Sequence, residues 1–512
     1  MENITIIGAG LAGLSAAIEL AKQNIECNLI SSQPSERAQS VLAEGGINGA
    51  LDLMGQQDTP AEHFADTMSG GVFLADPGAV KGLTEQAPEI LRWLRSIGVP
   101  FQMEKGNMIQ RSFGGQKKKR TAYAKSSTGK AVMTAMIDET RKYEAAGLVH
   151  RYDHHEFLAL DIRDGVCLGA LVRDTWSGET WRFPGGVICC TGGFNGLFPG
   201  RTTGTTQNTG HAAAALFAQG VRMANLEFIQ YHPTTVQIPG KRLLISEAAR
   251  GEGGRLFTMK DGKKWYFMED KYPEMGNLMP RDVISREMAG LPGQVWLDLT
   301  GLSKGTWRDR LPDLRREIQH YLGLDPAREP VPVSPGIHFF MGGIWVDRDH
   351  RTSVKHLYAA GECACQYHGA NRLGGNSLLG AIYGGRVAAA TAMREAPAGG
   401  PVEEAAPRTA EPETEIGEIL FGALGVLREG RTMEQALETL QAMPATNRVL
   451  LGRAMLCSAL ARQESRGAHT RLDYPDRDDA RFQKTTIAVC RNEEVEVSFQ
   501  DLPQSGGPTD AN

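Results

Sequence analysis

The chain has no run of eighteen consecutive apolar residues, so no segment of it reads as a membrane-spanning helix. It has no excess of positive charge. Its 55 Lys and Arg stand against 60 Asp and Glu, a net charge of −5, which argues against nucleic acid or an anionic membrane as a global partner. The eight cysteines, Cys27, Cys167, Cys189, Cys190, Cys363, Cys365, Cys457 and Cys490, form no CxxC repeat. That removes the usual signature of a metal site or a disulfide framework and leaves reduced thiols, as in the cytoplasm; no metal is expected, and any iron–sulfur cluster would belong to a partner. Met1 stands almost against the first apolar run, which leaves no room for a signal or transit peptide, so a cytoplasmic location is expected. Glycine, by contrast, is abundant: 60 of 512 residues, about 12% against a usual ~7%. That suits many backbone-lined turns around a ligand, in a chain long enough for several domains and a large core.

The glycines concentrate first at Gly8-Ala9-Gly10-Leu11-Ala12-Gly13. The preceding Ile4-Thr5-Ile6-Ile7 has the composition of a buried strand, and Leu14, Ala17, Ile18 and Ala21 fall on one helical face. Gly8 permits the tight turn, Gly10 lets a pyrophosphate approach the backbone, and Gly13 lets the helix pack on the strand. The helix N-terminus offers N–H groups and positive dipole to phosphates, so this turn, with Leu11 and Ala12, is the expected dinucleotide site. The acid that would hold the adenosine ribose after the second strand is missing. Ser31 stands there and can hydrogen-bond a ribose hydroxyl.

Further on, Arg37 to Gly46 places Ser40 and the pair Gly45-Gly46 after a small-residue run, which suggests backbone close to a flat ligand. This stretch resembles the flavin-contacting loop of the flavoprotein subunits of fumarate reductase and succinate dehydrogenase, and of the related L-aspartate oxidases. The respiratory members carry a histidine bonded to FAD in this loop. Aligned on Ala43-Glu44-Gly45-Gly46, that position is Gln39, so the resemblance implies FAD held non-covalently. Phe113-Gly114-Gly115 matches the loop over the substrate in fumarate reductases. L-aspartate oxidases carry a glutamate in this region for the substrate ammonium, and no acid lies between Gln110 and Gln116. Lys117 to Arg120 is a run of four cations without interleaved aromatics and reads as a solvated loop.

Thr191-Gly192-Gly193 resembles the family's turn near the adenosine half of the flavin. The family's Thr-Gly-Asp-Gly is replaced by Thr209-Gly210-His211-Ala212, which removes an aspartate expected to contact FAD. From about residue 226 the rhythm of strands and glycines stops, as for an inserted domain. His232-Pro233-Thr234, Ser246-Glu247-Ala248-Ala249-Arg250-Gly251-Glu252-Gly253, Pro280-Arg281-Asp282 and His338-Phe339-Phe340-Met341-Gly342-Gly343 match the family's capping domain in order. On the residues alone, Glu247 and Arg250 at i,i+3 would be a surface ion pair. Glu362 follows a strand returning to the first domain, and His368 to Leu378 resembles the family's most specific motif. Arg372 is thereby implied to grip a substrate carboxylate, and Ser377 and Leu378, at a helix head, to meet the flavin ring. Residues 395–414, rich in Ala, Pro, Gly and Glu, read as a linker. The stretches 420–440 and 450–462 read as helices, Glu464 to His469 match a further family element, and the last dozen residues read as a disordered tail.

The expected fold is α/β: a discontinuous Rossmann-like FAD-binding domain (1–225 and 335–395), an inserted α+β capping domain (226–334), a linker (396–414) and a C-terminal helical region with a tail (415–512). The resemblance implies reduction of fumarate, or a close unsaturated dicarboxylate, with the site where cap meets flavin domain. Arg372 and His338 would bind one carboxylate, His232 and Ser246 the other, with Phe113 over the substrate. Arg281 is implied as proton donor, reloaded through Glu247 and Arg250. The missing covalent bond favours the reducing direction. An iron–sulfur electron-transfer subunit, and membrane association through a partner, are open by resemblance. Two rival activities are L-aspartate oxidase and, from another class, a flavin-dependent nucleic-acid-modifying or binding protein using residues 117–120. An inactive flavin-binding electron carrier is a third.

Overall fold

The computed structural model describes residues 3–125, 127–396, 400–407 and 415–503. Its centre is a five-stranded parallel sheet in the order Leu357–Ala359, Val187–Cys189, Asn3–Ile7, Glu26–Ile30, Val149–Tyr152. Side chains alternate across a strand, so the two faces of Asn3–Ile7 serve two cores. Ile4 and Ile6 pack under the helices Leu11–Lys22, Pro77–Ser96, Thr128–Ala145 and Asn376–Glu395. Ile7, with Ile30 and Val187, faces an antiparallel sheet built on His155–Arg163, Val166–Asp174 and Thr180–Pro184. The layers come very close at two glycines. A Cβ on Gly13 would lie 1.8 Å from the Gly8 carbonyl oxygen, and one on Gly385 would lie 2.3 Å from that of Ala12. Gly13 is therefore a packing glycine, as its place in the motif predicts.

The inserted region carries its own core around a six-stranded sheet in the order Lys241–Leu244, Ile229–Ile238, Val331–Phe340, Val295–Asp298, Arg255–Lys260, Lys263–Trp265. The expected boundary at 334 falls inside the strand Val331–Phe340, which runs unbroken from the cap toward the parallel sheet's side of the molecule. Phe113 belongs to the cap's core although it lies in the first domain's sequence. A small sheet of Ile47–Asn48, Thr121–Ala122 and Gln110–Arg111 sets the loop that carries it.

Three expectations are corrected or refined. The helical C-terminal region is present as Gly417–Ala423, Gly430–Gln441 and Asn447–Ala461. It ends, however, in a hairpin, Lys484–Arg491 with Glu494–Asp501, that joins Met223–Ala224 in a five-stranded mixed sheet. Asn492 and Glu493, at φ 51° and 65°, form the two-residue left-handed turn that such a hairpin uses. Within the expected linker, Glu403–Glu404 pairs with Trp181 and Arg182 as an edge strand; residues 397–399 and 408–414 lie outside the described residues. The tail expected to be disordered lies, from 504 on, outside them too. The cation run 117–120 is not wholly solvated: Arg120 is fully buried, with ion pairs at 2.8 Å to Asp58 and to Asp66.

Candidate functional site

One continuous cavity runs from the first glycine turn to the arginines of the cap. Gly8, Gly10, Leu11, Ala12, Ser31, Ser40, Gly45 and Gly46 line it, as do Thr191, Gly192, Gly193, Glu362, Ser377 and Leu378. At the cap end Phe113, His232, Ser246, Glu247, Arg281, His338 and Arg372 line it. Of the residues predicted from sequence, Gly13 and Arg250 stand behind the wall.

Three helix N-termini open onto this cavity: those of Leu11–Lys22, His211–Ala218 and Asn376–Glu395. Each is preceded by a glycine, which has no side chain to cap it; Ser40 Oγ stands 3.5 Å from the Leu11 nitrogen and Thr209 Oγ1 3.4 Å from that of His211. Partial positive charge therefore collects along the cavity, which suits a diphosphate-bearing ligand. Asn376, which could have turned back to cap its own helix, is committed elsewhere. Its side chain meets Asn48, His63 and Thr67, and Gln116 joins the same buried network through Asn48 and the Gly374 carbonyl. The network fixes the Gly374–Leu378 turn from below.

The dinucleotide half shows how local geometry adapts to the missing acid. The Ser31 hydroxyl donates to the Gln33 carbonyl at 2.6 Å, and Asp153 Oδ1 lies 3.2 Å away. Ser40 Oγ meets the Leu11 N–H at 3.5 Å. Gln39 lines the cavity and its Oε1 accepts the Thr205 N–H at 2.5 Å. His211, where the resemblance expects an acid, also lines the cavity, and its Nε2 is buried without a partner. Glu362 accepts the Phe340 N–H at 3.1 Å, and removal from water pushes its carboxyl up to about 7. These features fit FAD: glycine backbone for close approach, three dipole ends for phosphates, and spare polar atoms facing the cavity.

At the cap end the charges are buried and ordered. Glu247 caps nothing. It receives the Gly114 N–H at 2.9 Å and Arg281 Nε and Nη2 at 3.0 and 2.5 Å, and Arg250 Nη2 lies 3.4 Å away. Burial alone would raise its carboxyl, but Arg281 and Arg250 hold it below the ordinary value. The pair 247/250 is thus a buried ion pair and not the surface one that its spacing suggested. Arg250 donates to the Asn277 carbonyl at 2.6 Å, and burial pulls its guanidinium down to about 10.

Arg372 is 3% exposed, stacks over Phe339 at 4.4 Å, and leaves its Nε without a partner. Burial, then Arg281, pull it well below the arginine range. His232 and His338 lie edge to face, 5.1 Å between ring centroids, and His338 Nδ1 is 2.8 Å from Thr203 Oγ1. Desolvation, reinforced by Arg281, holds both imidazoles neutral. The site therefore sets three guanidiniums against one fully ionised carboxylate, with Glu362 half-charged near neutrality. Ser246, 6% exposed, completes this end, and the Phe113 ring lies against Gly45, where a Cβ would be 2.7 Å from it. Among the described residues, no cluster of His, Cys, Asp and Glu could hold a metal, and no helix is long and apolar enough to cross a membrane.

Sequence reasoning missed Gln230, whose amide bridges Arg281 and Arg372. It stands two residues before the His232-Pro233-Thr234 motif and outside it, and no pattern of residue types marks an amide as a bridge.

The comparisons bear on the family and on the cofactor. A family model described as FAD binding domain matches residues 3–378, and one described as fumarate reductase flavoprotein C-term matches 438–506. The succinate dehydrogenase flavoprotein subunit of Bacillus subtilis is 36% identical, with 98% of this chain and 97% of that relative covered. The L-aspartate oxidase of Pyrococcus furiosus is 35% identical, over 92% and 96%. An E. coli quinol fumarate reductase structure superposes with a TM-score of 0.87 at 28% identity, covering 99% of this chain and 97% of that one. The chain belongs to the FAD-binding family of succinate dehydrogenase and fumarate reductase flavoprotein subunits, which also includes L-aspartate oxidase.

Proposed function

We propose that this flavoenzyme reduces fumarate, or a close unsaturated dicarboxylate, to the saturated acid. The observation that carries the reading is the uncompensated positive charge at the buried cap end, centred on Arg372 with its unpartnered Nε. A dianion of two carboxylates is the ligand that balances such a site, and a planar fork of donors suits each carboxylate. Arg372 and His338 take one end, and His232 and Ser246 the other. The neutral imidazoles donate hydrogen bonds without adding charge. Phe113 closes the face beside Gly45 and helps exclude water.

When bound, FAD supplies the hydride for the double bond. Arg281 delivers the proton to the neighbouring carbon, and Glu247, ionised at rest and at hydrogen-bond distance from Arg281, relays to it a proton taken from Arg250. Arg250, pulled down to about 10, is the next donor in line. Gln39 cannot form the covalent flavin bond, which supports non-covalent FAD and the reducing direction. The electrons come from an iron–sulfur partner subunit, which would also bring the protein to a membrane from the cytoplasm. An L-aspartate oxidase activity is the alternative, supported by the Pyrococcus furiosus relative. Against it, the segment Gln110 to Gln116 offers no carboxylate to an ammonium group, and Glu247 is committed to arginines. The test is a panel of unsaturated dicarboxylates offered to the FAD-loaded protein with reduced viologen as donor. Fumarate should be reduced fastest; a panel in which no dicarboxylate turns over would overturn the reading.

A further inference from the structure

Gln230 is fully buried on the strand Ile229–Ile238 and does not line the cavity. Its Oε1 accepts from Arg372 Nη2 at 2.9 Å and from Arg281 Nη1 at 3.2 Å. Its Nε2 donates to Asn371 Oδ1 at 2.9 Å and to the Arg372 carbonyl at 2.8 Å. The orientation of the amide is fixed by this surrounding, since the nitrogen faces two acceptors and the oxygen faces two cations. Asn371 is itself anchored, donating to the Gly70 carbonyl at 3.1 Å.

The chemistry of the acceptor matters. Two like charges converging in a buried site repel, and something must hold them together before a ligand arrives. A carboxylate would do so most strongly, but it would also cancel one of the charges that the ligand needs. Glu247 already plays that part for Arg281 on its other side. An amide oxygen accepts both hydrogen bonds and cancels nothing. The geometry points to Gln230 as a positioning residue that gathers Arg281 and Arg372 on one uncharged acceptor and so takes nothing further from the site's net positive charge, which a dianionic ligand needs. This rests on the dicarboxylate reading above.

The test measures equilibrium binding to the FAD-loaded protein of malonate, a dianion that cannot be dehydrogenated across its single methylene, and of malonamate, its monoanionic monoamide. Gln230→Met removes the acceptor and leaves the site's charge; it should weaken both ligands about equally, by roughly tenfold or more. Gln230→Glu adds a negative charge beside both guanidiniums; it should weaken malonate at least about tenfold more than malonamate. A merely structural role would not separate the two ligands. FAD content and melting temperature accompany each variant; should the Glu variant not fold, the Met variant decides, since weakened malonate binding with FAD content and melting temperature unchanged supports positioning, and weakened binding with both lowered overturns it. Malonate affinity within about twofold of the parent in the Met variant overturns the inference, as does equal weakening of both ligands by Glu. These outcomes are distinct from a failure of the parent reading. A parent protein that binds no dicarboxylate overturns that reading and this inference together. A parent that binds malonate with unaffected variants overturns the inference alone.

Discussion

Replacing Arg281 probes the chemistry most sharply. Its guanidinium is 6% exposed and spends two donors on Glu247 and one on Gln230. Arg281→Gln removes the charge and the fork together. Glu247 then keeps Arg250 at 3.4 Å and the Gly114 N–H at 2.9 Å, so it is weakened but not stranded. Breaking a buried ion pair costs ~3–5 kcal/mol when nothing remains, and here the lower end, about 3 kcal/mol of stability, is expected. The kinetic cost is larger. A positioned proton donor contributes ~10²–10⁴-fold, and one electrostatic donor ~10²–10³-fold. The two act through the same group and do not simply multiply, so a loss of at least ~10³-fold, about 4 kcal/mol of barrier, is expected. Arg281→Lys keeps the charge, and lysine is the stronger acid by reference value, but it offers a point donor where arginine offers a fork. It should retain activity within ~10–10²-fold of the parent. The assay is anaerobic oxidation of reduced viologen by fumarate, with FAD content measured on each variant and expected to stay unchanged. A Gln variant reducing fumarate within about tenfold of the parent would refute the assignment of Arg281 as donor and clamp.

Because Gln39 has no imidazole, acid or heat denaturation should release free FAD into the supernatant; flavin precipitating with the chain would contradict non-covalent binding. Glu362, raised to about 7 in the fold from an ordinary 4.5, binds its proton more tightly folded than unfolded. Its contribution is therefore fully present below pH 4.5 and lost as pH rises through 7, so FAD-free Glu362→Gln should match the parent in urea at pH 4.5 and exceed it by ~3 kcal/mol at pH 8. An unchanged difference across that window would remove Glu362 as the titrating group. Arg462 is fully buried and donates to Glu227, Glu464, Thr486 and the carbonyls of Phe482 and Lys484. Arg462→Met leaves two buried carboxylates short of a partner and should cost ~3–5 kcal/mol by denaturant titration; a loss under about 1 kcal/mol would mean that the network is not stabilising the C-terminal region.

Much of the site could be read in advance because its signals are local. The strand, glycine turn and helix at residues 4–21 announce themselves in one stretch, and Gly8 and Gly13 sit where their missing side chains are needed. The cap motifs likewise carry their chemistry in adjacent letters. What stayed hidden depends on contacts far apart in sequence. Gln230 acquires its meaning from Asn371 and Arg372, more than 140 residues away. Arg120 leaves its lysine neighbours because Asp58 and Asp66 wait for it in the interior. The pair 247/250 has the spacing of a surface ion pair, and only the tertiary packing buries it. The final hairpin was legible in principle, since β-branched residues at 485–487 precede Asn492-Glu493, but that signal was overshadowed by the helical pattern before it.

Substrate choice is the most direct test of the site, and one preparation can decide it. The FAD-loaded protein is given fumarate with reduced viologen, and, in parallel, L-aspartate with an oxidised acceptor of matched driving force, with succinate and iminoaspartate quantified. A cap end with spare positive charge, whose lining carboxylate Glu247 is committed to arginines, predicts fumarate reduction far faster than L-aspartate oxidation. Iminoaspartate formed at a comparable or greater rate would contradict it.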